Sequence, residues 1–211
     1  MTFKNRQEAG QKLVSQLEKY RGNYQAIILG LPRGGVVTAS VIAQELKLPL
    51  DLIVPRKIGA PGNSELAIGA ITEDGEGIFD ESLIRAYQIS QDYINREIEQ
   101  EKQEAKRRLK VYRADKKTLD LKDKIAILVD DGVATGATMQ AAIKSVKKKG
   151  AAKVVVAVPV ISQEALMTLK KEAEEVIYLD RPAFFGAVGE FYEDFSQVED
   201  EEVIKRFQMA D

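Results

Sequence analysis

The sequence predicts an α/β protein built on a doubly wound, mainly parallel sheet of about five strands. Three observations carry this expectation. Short apolar runs at 25–29, 48–55, 124–129, 153–160 and 175–179 alternate with segments of helical periodicity. The runs are apolar throughout, as expected of strands covered on both faces. Three of them close on Gly30, on Pro55 and on the pair Asp130–Asp131, at the carboxyl ends where ligands of such sheets bind. A length of 211 residues suits a single domain, 1–211, large enough to bury a core.

Each element has its own reason. Ala9, Leu13, Leu17 and Tyr20 recur at helical spacing, so 5–20 reads as a helix ending near Gly22. QAIIL at 25–29 is a strand, LPRGG at 31–35 a turn, and VVTASVIAQEL a helix to about Leu46. With the strand at 48–55 these form a βαβ unit. RKIGAPGNSE at 56–65 holds two glycines and a proline and reads as a loop. Short strands follow at 66–71 and 77–80, around the turn EDGEG. From about Ser82 to Arg113 the chain is highly charged, with Glu97 and Glu101 near Lys102 and Lys106, and reads as one long solvated helix.

The second half repeats the rhythm. The strand at 124–129 leads to a helix at 139–150 with Gly150 as its C-cap. The strand at 153–160 leads to a helix capped by Ser162, with Glu164 and Glu172 outside its apolar stripe. A strand at 175–179 follows, and the last 30 residues are aromatic-rich and less regular. The core thus carries an insertion at 56–118 (loop, short strands, long helix) and a C-terminal segment at 180–211.

Composition removes whole classes of chemistry. There is no cysteine and no histidine, so thiolate nucleophiles, Ser-His catalysis and Cys/His metal sites are excluded. Lys and Arg total 31 against 33 Asp and Glu, a formal charge of -2, which makes nucleic acid an unexpected partner. No apolar stretch is long enough to span a bilayer. The opening MTFKNRQEAGQKL is polar and unlike a signal peptide, so a cytoplasmic location and no membrane partner are expected.

The chemistry concentrates in Ile125–Thr138, which reads IAILVDDGVATGAT. A buried strand ends in Asp130 and Asp131, and a loop of small and hydroxyl residues leads into a helix. A helix start offers free N–H groups and the positive end of the dipole. Thr135 and Thr138 add hydroxyls, and Gly136 and Ala137 allow close approach, which together make a phosphate cradle. Carboxylates suit hydroxyls, or a Mg²⁺ bound to hydroxyls. A ribose 5-phosphate fits both ends. Caps and an Asx turn would account for one Asp or one Thr, but not for the whole pattern. Neither a P-loop nor a dinucleotide fingerprint is present.

This segment resembles the phosphoribosyl pyrophosphate (PRPP) motif of type I phosphoribosyltransferases. The resemblance implies the Rossmann-like fold of that family, with a small variable hood at 180–211 and the long charged helix as an addition. It implies that Asp130 and Asp131 hold the ribose hydroxyls, with Gly132 and Val133 leading into a 5-phosphate loop of Ala134, Thr135, Gly136, Ala137 and Thr138. It places a pyrophosphate loop at Leu31–Gly35, where Arg33 meets the anion and Gly34 and Gly35 expose N–H groups. Arg56 and Lys57 begin the family's mobile closing loop and complete the PRPP site. Phe184 and Phe185 become candidates for stacking on the acceptor, with packing in the core as the plainer account. Asp130 and Asp131 are also the candidate Mg²⁺ residues, through PRPP hydroxyls or water. The stretch PRKIGAPGNSELAIGA is similar to a branch of the family described only as predicted phosphoribosyltransferases, which brings no known acceptor. Members acting on 6-oxopurines carry an acid where this chain has Ala134.

The expected activity is Mg²⁺-dependent transfer of the phosphoribosyl group from PRPP to a nitrogen acceptor, a nucleobase or related heterocycle, with release of pyrophosphate. Asp130, Asp131, Arg33 and Lys57 are the residues expected to carry it. The alternative is a PRPP-sensing regulator that binds RNA or DNA without transferase activity, for which 95–117 and Lys147–Lys149 are the basic clusters on offer. PRPP synthesis is a further option, against which stand the chain length and the lack of an ATP motif. An exposed apolar helix face would allow a homodimer.

Overall fold

Helix α1 (Arg6–Leu17) starts where the Asn5 side chain accepts from the Glu8 N–H, the usual way an N-cap satisfies a free donor. Strand β1 (Ala26–Gly30), helix α2 (Gly34–Leu46) and strand β2 (Leu50–Leu52) form the expected βαβ unit. The structure, a computed structural model, describes residues 1–114 and 116–209, and at 64 and 65 the backbone alone. Positions 115 and 210–211 of the two predicted additions therefore lie outside the described residues. Strand β2 is shorter than predicted, although Leu50 to Val54 are all buried.

The stretch read as a loop is a β-hairpin. Strand β3 (Arg56–Ala60) pairs antiparallel with β4 (Asn63–Ile71), and β5 (Gly77–Phe79) completes a three-stranded sheet. The residues read as breakers are the hairpin's own fittings. Gly62, at φ +73°, makes the turn, and the register shifts beside Gly59 mark a bulge. Ile58, Ala60, Ile68 and Ile71 bury against Ile89 and Ile94, which gives this sheet its own small core.

The charged stretch also divides. Helix α3 (Glu81–Ala86) is capped by Asp80, and helix α4 (Gln91–Arg113) begins afresh at Ser90. Gln88, at φ 51°, breaks the run between them. Helix α4 is not wholly solvated, since Ala105, Leu109 and Tyr112 are buried.

The second half follows expectation. Strand β6 (Ile125–Val129), helix α5 (Ala137–Lys148), strand β7 (Lys153–Val160), helix α6 (Gln163–Glu172) and strand β8 (Glu175–Asp180) alternate in order. Lys149 caps α5, and Gly150 follows at φ +84°. The Ser162 hydroxyl accepts from the Ala165 N–H, as an N-cap should. The last segment contains a further helix, α7 (Asp200–Gln208), anchored by Val203 and Phe207.

The main sheet has the order β2-β1-β6-β7-β8, and every pair is parallel. One face packs Leu13, Ile42, Leu109 and Phe207 from α1, α2, α4 and α7, and the other packs Met139, Ile143, Leu166 and Leu169 from α5 and α6. Burial of these apolar faces is the main stabilising force. The strand order reverses between β1 and β6, which pair from Ala26↔Ile125 to Gly30↔Val129. Their carboxyl ends therefore stop side by side, at the switch point where such sheets bind ligands.

The small sheet is tied to α5 by polar contacts. Lys149 Nζ lies 2.6 Å from Glu73 and 3.6 Å from Asp74. The Ser145 hydroxyl donates to Asp74 at 2.7 Å, and Lys144 Nζ donates to the Gly77 carbonyl at 2.8 Å. Lys147 pairs with Glu174 at 3.4 Å, and Lys148 pairs with Glu76. The basic cluster at the end of α5 is thus engaged within the molecule.

Asp51, only 2% exposed, fixes the other flank. It accepts from Arg113 Nε at 2.9 Å, from the Leu119 N–H at 2.9 Å and from the Leu52 N–H at 2.7 Å. Asp51→Ala leaves the half-buried Arg113 cation without its counter-charge. We expect a loss of about 3 kcal/mol in unfolding free energy, typical of a broken buried pair. A denaturant midpoint unchanged from the parent would refute that role.

Candidate functional site

The paired ends of β1 and β6 bring two loops together. The Leu31 N–H donates to the Val129 carbonyl at 2.9 Å, so the chain leaves both strands in step. Helix α2 then starts at Gly34, immediately beside the acid pair. A methyl group on Gly34 would overlap Asp131 Oδ2, and one on Gly35 would sit 2.7 Å from Asp130 Oδ1 and 2.8 Å from its Cα. The two glycines thus allow two carboxylates to lie against a helix start. The free N–H groups there favour negative charge.

Asp130 and Asp131 sit in different surroundings. The Asp131 N–H donates to Asp130 Oδ1 at 2.8 Å. Burial, and then the neighbouring Asp131 charge, push the Asp130 carboxyl well above the usual carboxylate range. Asp131 Oδ2 accepts from Arg6 Nε at 2.6 Å. The Tyr192 hydroxyl donates to the Asp131 carbonyl at 2.6 Å, and burial and the Asp131 charge push that hydroxyl far up.

The loop Gly132–Thr138 is held from below by the end of β7. The Val133 N–H donates to the Val160 carbonyl at 2.9 Å, and the Val133 carbonyl accepts from the Ser162 N–H at 3.0 Å. The Ser162 hydroxyl donates to the Ala134 carbonyl at 2.5 Å. Gly132 abuts Val188 and Val160 so closely that no side chain would fit. Gly136, at φ +86°, turns the chain into α5 and is its N-cap. Ala137 and Thr138 occupy the first turn of α5, with Thr135 exposed and Thr138 half-buried. An open helix N-terminus flanked by two hydroxyls is a phosphate-binding arrangement.

The remaining candidates divide. Arg33 caps α2, and its Nη1 lies 3.5 Å from Glu199 and 3.8 Å from Asp200; the Pro32–Arg33 peptide is cis. Arg56 and Lys57 share one cleft with Thr138, Tyr93 and Glu101, so β3 and the start of α5 face the same space. Lys57 is exposed there, whereas Arg56 Nε is 2.6 Å from Glu101. Phe184 stands 92% exposed, so it is not a core residue. Phe185 packs on Phe191, with ring centroids 5.1 Å apart. Their segment reaches the site through Val188, against Gly132.

Arg6 is a site neighbour that sequence reading missed, and Tyr192 one that it placed only among the late aromatic residues. Arg6 lies 125 positions from Asp131, on a helix read only for its apolar stripe. No local pattern links the two. The aromatic cluster at 184–192 was visible, but not which ring would reach the acid pair.

Among the described residues, no group of three or more acidic side chains could by itself hold a metal ion. Asp130 and Asp131 offer two carboxylates, one oxygen of which already accepts from Arg6. That donor set fits Mg²⁺ only as a partner to a ligand's own oxygens and water, the usual habit of this ion.

A doubly wound parallel sheet with an acid pair and a helix-start loop at its switch point places the chain in the class of α/β proteins that take ligands at that point. The phosphoribosyl transferase domain family matches residues 3–195, and the chain belongs to that family. A protein of Mycobacterium tuberculosis named "Putative phosphoribosyl transferase" is 39% identical over 202 residues, which are 96% of this chain and 45% of that protein. The chain therefore spans less than half the length of the curated relatives it matches. The crystal structure of TT1426 from Thermus thermophilus is 42% identical, with a TM-score of 0.83 over 99% of both chains. A purine phosphoribosyltransferase from Pyrococcus horikoshii shares the fold, at 18% identity and a TM-score of 0.50 over 86% of this chain and 88% of that one.

The raised Asp130 carboxyl has a stability consequence. Above its ordinary pKa of 3.8 the unfolded chain releases a proton that the folded protein retains. Stability therefore falls as pH rises through that window. Asp130→Asn removes the slope. Its melting temperature should exceed the parent's at pH 7, with the gap closing below pH 3.8. A melting temperature below the parent's at pH 7 would contradict this account.

Proposed function

We propose that the protein transfers the phosphoribosyl group of PRPP to a nitrogen acceptor and releases pyrophosphate. The observation that carries this reading is the placement of Asp130–Asp131 and the Gly132–Thr138 loop together at the β1/β6 switch point. Family membership supports the same class of chemistry.

In this reading the 5-phosphate sits on the N–H groups at the start of α5, with Thr135 and Thr138 donating to its oxygens. Asp130 and Asp131 accept from the ribose 2- and 3-hydroxyls. Arg33 and the N–H groups of Gly34 and Gly35 take the pyrophosphate, and Arg33 exchanges its long contacts to Glu199 and Asp200 for that anion. Lys57, exposed in the cleft that Thr138 lines, adds positive charge from the hairpin side. When bound, Mg²⁺ supplies charge neutralisation for the pyrophosphate, held through ligand oxygens near Asp130 and Asp131.

The bond from C1 to the pyrophosphate oxygen breaks with its electron pair leaving on pyrophosphate. The acceptor nitrogen supplies the pair for the new bond, and a proton it carries passes to the departing pyrophosphate or to water. Positive charge builds on the ribose ring between these events, and the acid pair stabilises it. No step needs a histidine or a thiol. The 180–211 segment supplies the acceptor side, with Phe184 available to stack on a planar ring. Closure of the hairpin side over the site excludes water, which otherwise hydrolyses PRPP.

The acid pair replaced as Asp130→Asn with Asp131→Asn should abolish PRPP binding in a calorimetric titration while the far-UV spectrum stays that of the parent. Undiminished binding would remove the site assignment. Arg33→Ala should weaken PRPP by about tenfold, the scale of one lost charge-assisted contact, and ribose 5-phosphate much less. Equal losses for both ligands would count against the pyrophosphate role. Pyrophosphate release from PRPP and Mg²⁺ across purines, pyrimidines, nicotinate-like rings, anthranilate and ammonia should single out one acceptor. Tight PRPP binding with no release would favour a PRPP sensor.

A further inference from the structure

We infer that Arg6 is a positioning residue for the acid pair: it holds Asp131 in the orientation that meets the ribose and offsets one of the pair's negative charges. This rests on the reading of Asp130 and Asp131 as the ribose-diol acids, and concerns a residue outside the PRPP motif and the pyrophosphate loop.

Four observations converge on Arg6. It is a cation with only 9% of its surface exposed, an uncommon state that requires partners. Its Nε donates to Asp131 Oδ2 at 2.6 Å, and its Nη1 donates to the Ser196 carbonyl at 2.8 Å. Its guanidinium lies 3.8 Å from the centroid of the Phe195 ring, a cation–π stack. The absence of a side chain on Gly34 leaves room for both Arg6 Nε and Asp131 Oδ2, since a methyl group there would fall 2.7 Å from the first and overlap the second.

The geometry leaves Asp131 little freedom. Oδ2 is fixed by Arg6, and the Asp131 carbonyl is fixed by the Tyr192 hydroxyl. With these two points held, the carboxylate has a set orientation for a ligand to meet. The Asp131 carboxylate would otherwise repel a ligand that carries phosphate at one end and pyrophosphate at the other, and the Arg6 guanidinium, 2.6 Å from Oδ2, offsets that charge. The planar fork of Arg, unlike the point charge of Lys, can hold Asp131 and Ser196 at once. Arg6 touches the acid, not the proposed ligand, so it acts through Asp131.

The 211-residue chain tests this by titration calorimetry with three probes: PRPP with Mg²⁺, ribose 5-phosphate and pyrophosphate. Arg6→Gln should weaken PRPP and ribose 5-phosphate by about tenfold, the usual scale for removing the partner that orients a ligand-binding group. Pyrophosphate affinity should fall less than ribose 5-phosphate affinity, because the Arg6 hydrogen bonds go to Asp131 and Ser196 and not to the N–H groups of the pyrophosphate loop. Arg6→Lys, which keeps the charge and packs more gently, should recover part of the loss. In an Asp131→Asn background, Arg6→Gln should cost no further affinity for ribose 5-phosphate. A purely structural Arg6 would lower the melting temperature and all three affinities together, and that outcome overturns the inference. So does an Arg6→Gln protein that binds ribose 5-phosphate as the parent does. If the parent itself binds none of the probes, the reading of the acid pair fails first and this inference falls with it.

Discussion

The close approach of two carboxylates to the glycine start of helix α2 is the constraint on which the rest of the site depends. Gly34 and Gly35 have no side chains, so Asp130 and Asp131 reach the open N–H end of a helix and stay there. That approach needs β1 and β6 to end in register, which the pairing from Ala26↔Ile125 to Gly30↔Val129 secures. It also needs an answer to like charge at short range. The helix end supplies part of it, Arg6 supplies part, and the raised Asp130 carboxyl supplies the remainder. A free protein organised in this way carries an electrostatic cost at the place where it would take a hydroxyl-rich, anionic ligand. Functional sites commonly hold such unfavourable groups against the preference of the fold.

The two additions to the sheet meet the site from opposite sides. The hairpin β3–β4 and strand β5 carry their own apolar core and are tied to α5 through Glu73, Asp74 and Glu76. The same helix α5 presents its N-terminus to the phosphate-type loop. The hairpin and the loop therefore share one support, and the cleft lined by Lys57 and Thr138 lies between them. From the other side, Phe3 pairs with Phe191 and Glu193 through the backbone, which draws the start of the chain and its late aromatic segment together. Arg6 and Tyr192 reach Asp131 because of that pairing.

Much of the architecture was legible because it depends on local pattern. Apolar runs bounded by Gly, Pro or Asp named the five strands of the main sheet, and helical periodicity named α1, α2, α5 and α6. The hairpin was not legible. Gly59, Pro61 and Gly62 signal a break, and the same residues serve a bulge and a tight turn once strands on either side have a partner. Helix α7 was missed for a related reason: nine residues with few apolar positions become helical because Val203 and Phe207 find a core contributed by α2 and α4.

The sequence by itself determined the family, the parallel sheet and the acid-pair and phosphate-type loop, because all of these lie in contiguous residues whose spacing is the chemistry. The tertiary structure decided which distant side chains complete the site. Arg6 on the first helix, Tyr192 near the end of the chain, and Glu199 and Asp200 beside Arg33 meet only after the sheet is assembled. Their contacts bridge more than 60 positions of chain, and a charge or hydroxyl at that separation leaves no periodicity to read. Burial decided the rest: whether a carboxylate keeps its proton, or a cation needs a partner, depends on the neighbours that folding brings and not on the residue alone.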